Sequence, residues 1–117
     1  MSQIRILHNP RCSKSRQTLQ LLQDKGLDVE VVEYLKTPLS TDELALLQQK
    51  LALNDIRAMM RTKEDIYKEL ELGAPQRSES ELRAAIATHP ILLERPVVIT
   101  ETAARIGRPP ESVLELF

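Results

Sequence analysis

Short apolar runs alternate with polar, turn-rich segments along the whole chain. Ile4-Arg5-Ile6-Leu7-His8 gathers β-branched and bulky residues over one strand length and stops at the turn signal Asn9-Pro10, which predicts a first and central strand. Thr18, Leu19, Leu21 and Leu22 then recur at helical spacing before Gly26. That pattern predicts a helix over 13–25 with Cys12 at its mouth. Val29-Glu30-Val31-Val32-Glu33-Tyr34 is again rich in strand formers. Strand, helix and strand in this compass make a βαβ unit, whose strands run parallel through a right-handed crossover.

Past Thr37-Pro38 the rhythm becomes helical. Ser40 stands three residues before Glu43 as a capping box for a helix carrying Leu44, Leu47 and Leu51, and Asn54 or Asp55 caps a short helix over 56–60. Another short turn or helix begins at Ile66, Gly73-Ala74-Pro75 breaks it, and Ser78 with Glu81 opens a helix that runs to His89 before Pro90. Val97-Val98-Ile99 starts directly after Pro96 and reads as a strand, with 103–106 returning beside it across Thr100-Glu101-Thr102. Pro110 sits at the first turn of a last helix through Val113, Leu114 and Leu116. The expected fold is therefore α/β. An N-terminal βαβ and a C-terminal ββα form a mixed sheet of about four strands around a helical insertion at about 40–90, which is the thioredoxin-like plan.

Bulk properties narrow the function. The 117 residues fit one domain. Sixteen basic and 17 acidic residues leave a formal charge of −1, which speaks against a nucleic-acid-binding surface. No run nears the ~18 apolar residues of a membrane span, and the opening Met1-Ser2-Gln3 leads into a strand without the apolar core of a secretory leader. A cytoplasmic, monomeric protein is expected. Its one cysteine excludes an internal disulfide, and one Cys with two separated histidines offers no metal ligand set.

The candidate chemistry lies in His8-Asn9-Pro10-Arg11-Cys12-Ser13-Lys14-Ser15-Arg16. A cysteine at a strand–loop–helix junction faces unpaired backbone N–H groups and the positive helix end, both of which favour thiolate. Arg11, Lys14 and Arg16 add positive charge, and the same amides can cradle a tetrahedral oxyanion. The competing reading makes Cys12 a small buried hydrophobe. His8 either assists the thiolate or caps the sheet edge, and His89 reads as a helix-end residue. Arg61, Arg95 and Arg108 stand at chain turns, two of them directly before proline. They are either oxyanion ligands converging on Cys12 or ordinary surface arginines. Arg105 reads as structural.

The sequence resembles the glutaredoxin-coupled arsenate reductases and their chromosomal relatives. The likeness rests on the segment from His8 to Arg16, on Tyr34-Leu35-Lys36-Thr37-Pro38, on Arg61-Thr62-Lys63-Glu64 with Tyr67-Lys68-Glu69-Leu70, on His89-Pro90 with Glu94-Arg95-Pro96-Val97-Val98, and on Arg105-Ile106-Gly107-Arg108-Pro109-Pro110-Glu111. The resemblance implies a nucleophile at Cys12, a histidine at His8 that favours the thiolate, and oxyanion binding by Arg61, Arg95, Arg108 and Ser15. It further implies structural roles for Asn9, Pro10, Lys14, Arg16 and a cis Pro96. No bound cofactor is implied. The resemblance implies glutathione as co-substrate and glutaredoxin as partner, with the thiolate attacking arsenate before glutathione joins the arsenic. With no second cysteine, the next thiol has to come from outside the chain.

Two departures from the plasmid-type enzymes are visible: the chain stops at Phe117, without their additional C-terminal segment, and Lys14 brings a charge beside the thiol. Two other functions compete. A Spx-like, polymerase-binding regulator normally has Cys-x-x-Cys in this loop, but Ser15 occupies the second position. A glutathione-dependent thiol oxidoreductase acting on mixed disulfides suits Cys-x-x-Ser.

Overall fold

In the computed structural model the structure describes residues 4–117, so the opening Met1-Ser2-Gln3 lies outside it. The chain divides into two compact units, one comprising residues up to Thr37 together with Arg95–Phe117, the other Pro38–Glu94.

The first unit holds the sheet. Strand β1 (Ile4–Leu7) leads through a loop to helix α1 (Ser13–Asp24), and β2 (Val29–Val32) returns parallel to β1. The end of α1 follows from Gly26, whose φ of 74° lies in the left-handed region that glycine enters without steric cost. After the second unit, β3 (Val97–Ile99) pairs antiparallel with β1, and β4 (Ala104–Ile106) pairs antiparallel with β3. The order β2-β1-β3-β4 makes β1 central. This is the mixed four-stranded sheet of the thioredoxin-like plan, with the hairpin closed by Thr100 N–H donating to the Ala103 carbonyl at 2.8 Å.

Alternation in β1 sends Ile4 and Ile6 into a core with Leu22 of α1, Val98 of β3 and Val113, while Arg5 stays exposed. Two expectations shift at the ends. The second strand stops at Val32, and Tyr34 is buried in the turn that follows. The last helix, Pro110–Leu116, winds as a 3₁₀ helix, with bonds such as Ser112 N–H to the Pro109 carbonyl at 3.0 Å. It starts on consecutive prolines and, at seven residues, is longer than the three or four at which most 3₁₀ runs stop.

The second unit is helical. Helix α2 (Thr41–Lys50) starts on a complete capping box, Ser40 with Glu43, and a 3₁₀ turn (Ile56–Met59) is capped by Asp55. Helix α3 (Asp65–Glu69) is short, α4 (Glu79–Thr88) is capped by Ser78, and a 3₁₀ turn follows at Pro90–Leu92. Leu44, Leu47, Ile56, Met59, Leu82, Ile86 and Leu92 are among its buried apolar residues. An antiparallel bridge between Met60 and Leu93 closes the unit next to Arg61, whose N–H donates to the Leu92 carbonyl at 2.7 Å.

None of the described helices is long and apolar enough to cross a membrane.

Candidate active site

The loop after β1 is built by its own polar groups. Cys12 N–H donates to the Asn9 carbonyl at 2.9 Å, Arg11 N–H to the Asn9 side-chain oxygen at 3.1 Å, and the Arg16 guanidinium to the Pro10 carbonyl at 2.8 Å. These bonds turn the chain so that Cys12 becomes the N-cap of α1. A cysteine is an unusual cap, because sulfur is a weak acceptor compared with Ser, Thr, Asp or Asn. The sulfur makes no cap hydrogen bond of ordinary geometry, yet the amides of Ser15 and Lys14 still act on it.

The Cys12 thiol is partly exposed and its pKa lies below the ordinary value. Partial burial pushes it up. The Ser15 N–H, the Arg95 charge, the Lys14 N–H and the Arg108 charge together outweigh burial and pull it down. The first turn of α1 contains no acidic residue to oppose them.

Arg95 and Arg108 are therefore brought to the thiol's electrostatic neighbourhood. Both precede cis prolines, Pro96 as the sequence resemblance implied and Pro109 without such a signal. Arg108 Nε donates to the Arg95 carbonyl at 2.9 Å. Arg95 Nε and Nη1 are buried and have no hydrogen-bond partner among the described residues. Such donors are costly to leave unmade, and at a cationic group they select an anion.

Gly107 lets these two loops approach. Its N–H donates to the Pro96 carbonyl at 2.8 Å, and a Cβ there would lie 2.7 Å from Thr18 Oγ1 and 2.8 Å from Pro96 Cγ. In the sequence Gly107 enters only within the Arg105–Glu111 segment and Thr18 only as a helix-periodic position, with no site role; Thr18 is fully buried and donates to the Lys14 carbonyl at 2.8 Å. The small residue between Ile106 and Arg108 was the available signal.

His8 ends the first strand, is almost fully buried, and its Nδ1 lies 2.7 Å from Ser15 Oγ. Burial lowers its pKa, with Glu33 pulling upward and Arg16 downward. Ser15 is implied by the resemblance as an oxyanion ligand. Its hydroxyl is fully buried and already holds His8 and the Asn9 N–H, the latter at 3.0 Å, so its backbone N–H is what acts on the thiol. Lys14 and Arg16 are exposed on α1. Arg61 belongs to the second unit, where its guanidinium pairs with Glu64. His89 is the C-cap of α4, and Arg105 pairs with Glu115 at 3.2 Å. Among the described residues, no three His, Cys, Asp or Glu side chains gather to hold a metal.

Comparison with known proteins agrees over nearly the full length. The model of the ArsC family matches residues 7–116. The uncharacterized protein YfgD of Escherichia coli is 52% identical over 114 residues, covering 97% of this chain and 96% of that one. A protein of Haemophilus influenzae named arsenate reductase is 50% identical over 112 residues, covering 96% and 97%. A solved structure titled arsenate reductase from Vibrio cholerae superposes with a TM-score of 0.97 at 54% identity, over 98% of both chains. A cysteine-capped helix beside paired arginine–cis-proline turns thus sits within a match that runs almost from end to end, and the chain belongs to the ArsC family.

Proposed function

We propose that this protein reduces arsenate to arsenite, using Cys12 as nucleophile and glutathione with glutaredoxin as external electron donors. In this reading the Cys12 thiolate attacks arsenic(V), forming an S–As bond while an arsenate oxygen leaves as water after protonation. Glutathione then displaces a second oxygen as water. The glutaredoxin thiolate attacks the glutathione sulfur, leaving the electron pair of the breaking S–As bond on arsenic, which becomes arsenic(III). Hydrolysis of the remaining S–As bond releases arsenite and returns Cys12. Two thiols end as one mixed disulfide, which balances the two electrons gained by arsenic.

The observation that carries the reading is Arg95, with two buried nitrogens that have no hydrogen-bond partner among the described residues, beside a thiol of lowered pKa. An oxyanion would satisfy both nitrogens, and its charge would be offset as the anionic sulfur approaches. Arg108 shares this role. Arg61 takes it from family membership. The protein works as a monomer in the reducing cytoplasm, where external thiols are abundant.

The test combines purified protein, arsenate, glutathione and glutaredoxin, following arsenite release and the mass of the Cys12 peptide after rapid quenching. Arsenite formation with an arsenic-bearing adduct on Cys12, both lost in Cys12→Ser, is the expected result. No arsenite with both donors present, or turnover untouched by Cys12→Ser, overturns the reading. Efficient reduction of glutathionylated peptides without arsenite formation would assign the protein to mixed-disulfide exchange instead.

A further inference from the structure

We propose that Arg11 and Lys14 form a carboxylate clamp on either side of Cys12, which docks glutathione by its two ends and brings its thiol to the reacting sulfur.

The two cations stand out because the fold makes no use of them. In the first unit Arg16 donates to the Pro10 carbonyl and Arg108 to that of Arg95, while Arg5 and Arg105 pair with Glu30 and Glu115. Arg11 and Lys14 are exposed, and the guanidinium of one and the ammonium of the other have no hydrogen-bond or ion-pair partner among the described residues. Their side-chain charges do not tune the thiol either, since the charges that lower the Cys12 pKa are those of Arg95 and Arg108. Lys14 also lies in the first turn of α1, where a cation opposes the helix dipole; the same turns of α2 and α4 hold Asp42, Glu43, Glu79 and Glu81. Its place is unfavourable for the helix and calls for an anion from outside.

Placement selects that anion. Arg11 is the loop residue directly before Cys12 and Lys14 is two residues after it, so the thiol stands between a cation on its loop side and one on its helix side. Glutathione has the complementary order: a carboxylate at the γ-glutamyl end, the sulfur in the middle and a carboxylate at the glycyl end. Paired to both cations, it presents its sulfur over Cys12, as the second thiol of a chain with one cysteine has to. Exposed pairs of this kind are weak singly and screened by salt, which suits a co-substrate that must leave. The identity of the incoming thiol rests on the arsenate-reductase reading; the charge preference of Cys12 does not.

Disulfide exchange tests the clamp without arsenate. The Cys12 thiolate attacks one sulfur of glutathione disulfide, keeps that glutathionyl group as a mixed disulfide and releases the other as glutathione thiolate, and mass spectrometry follows the adduct. Hydroxyethyl disulfide undergoes the same exchange without charge, so the ratio of the two rates cancels any change in the thiol itself. In the double variant Arg11→Gln, Lys14→Gln the ratio is expected to fall by about three- to tenfold, as for two exposed ion pairs, and in the native protein to fall as salt is raised to about 1 M. The disulfide of glutathione ethyl ester, with the glycyl carboxylate masked, should lie between the two probes. An unchanged ratio in the double variant overturns the proposal. If that variant then needs more arsenate or more glutaredoxin for half-maximal turnover, the cations serve the oxyanion or the partner protein instead. A lowered ratio in a protein that never turns over arsenate would remove the reductase reading and leave the clamp standing.

Discussion

Arg108 Nε donates to the main-chain oxygen of Arg95 at 2.9 Å, so one arginine is a strut for the loop that carries the other. Both charges pull the Cys12 pKa down, that of Arg95 more strongly. Arg95→Gln is expected to raise the Cys12 midpoint, and Arg108→Gln to raise it less. Thiolate absorbance against pH, or the pH dependence of iodoacetamide alkylation, measures both. A larger effect from Arg108 would mean that the strut matters more to the thiol than the buried guanidinium.

The pH dependence of stability has a defined sign. His8 in the folded protein has a pKa below its ordinary 6.5, so the folded state takes up its proton later than the unfolded state as pH falls. The contribution is fully present above about 6.5 and is lost as pH drops through the folded value. Cys12 is also depressed, so its contribution is complete above the ordinary thiol value and lost as pH falls through the folded one. Denaturant midpoints should therefore fall on acidification below about 6.5, with that component reduced in His8→Asn. They should rise on the alkaline side of neutrality, and that rise should vanish in Cys12→Ser.

Much of this architecture was legible because local signals were strong. Ser40 with Glu43, Gly26 and Pro96 are short-range devices whose chemistry does not depend on distant residues, and each acts where the sequence placed it. The cysteine at the helix mouth was readable for the same reason. What the sequence withheld was long-range polar pairing. Arg57 reaches the Leu72 carbonyl at 3.0 Å and the Ala74 carbonyl at 2.8 Å, partners that no local pattern around it signals. Glu79 opens α4 and also accepts from Gln48 at 2.8 Å, 31 positions away. Motif position also does not say which way the Ser15 hydroxyl points, since its partners, His8 and Asn9, lie across the loop.

Gly107→Ala tests the close approach of the loops. The added methyl would press on Thr18, held to the Lys14 carbonyl, and on the Pro96 ring, neither of which is the free end of a flexible chain. A loss of about 1–3 kcal/mol is expected from such overpacking. Urea unfolding reads it directly. Because Gly107 immediately precedes Arg108, the Cys12 midpoint should rise as well. An alanine variant of native stability would show that this contact relaxes without cost.

Arg95 offers the sharpest separation of stability from activity. Its buried Nε and Nη1 have no partner among the described residues, so in the absence of a bound anion the fold leaves two donor bonds of a charged group unmade. Arg95→Met substitutes an unbranched apolar chain that adapts to irregular space and has no donors to satisfy. The variant should be more stable than the native protein by about 1 kcal/mol in anion-free buffer, with arsenate turnover lost. Adding arsenate or phosphate should raise the native melting temperature, since an anion bound only by the folded state stabilises it by mass action, and leave Arg95→Met nearly unchanged. A variant less stable than native protein without anion would show that the guanidinium supports the fold, and the orphaned nitrogens would then no longer argue for an oxyanion site.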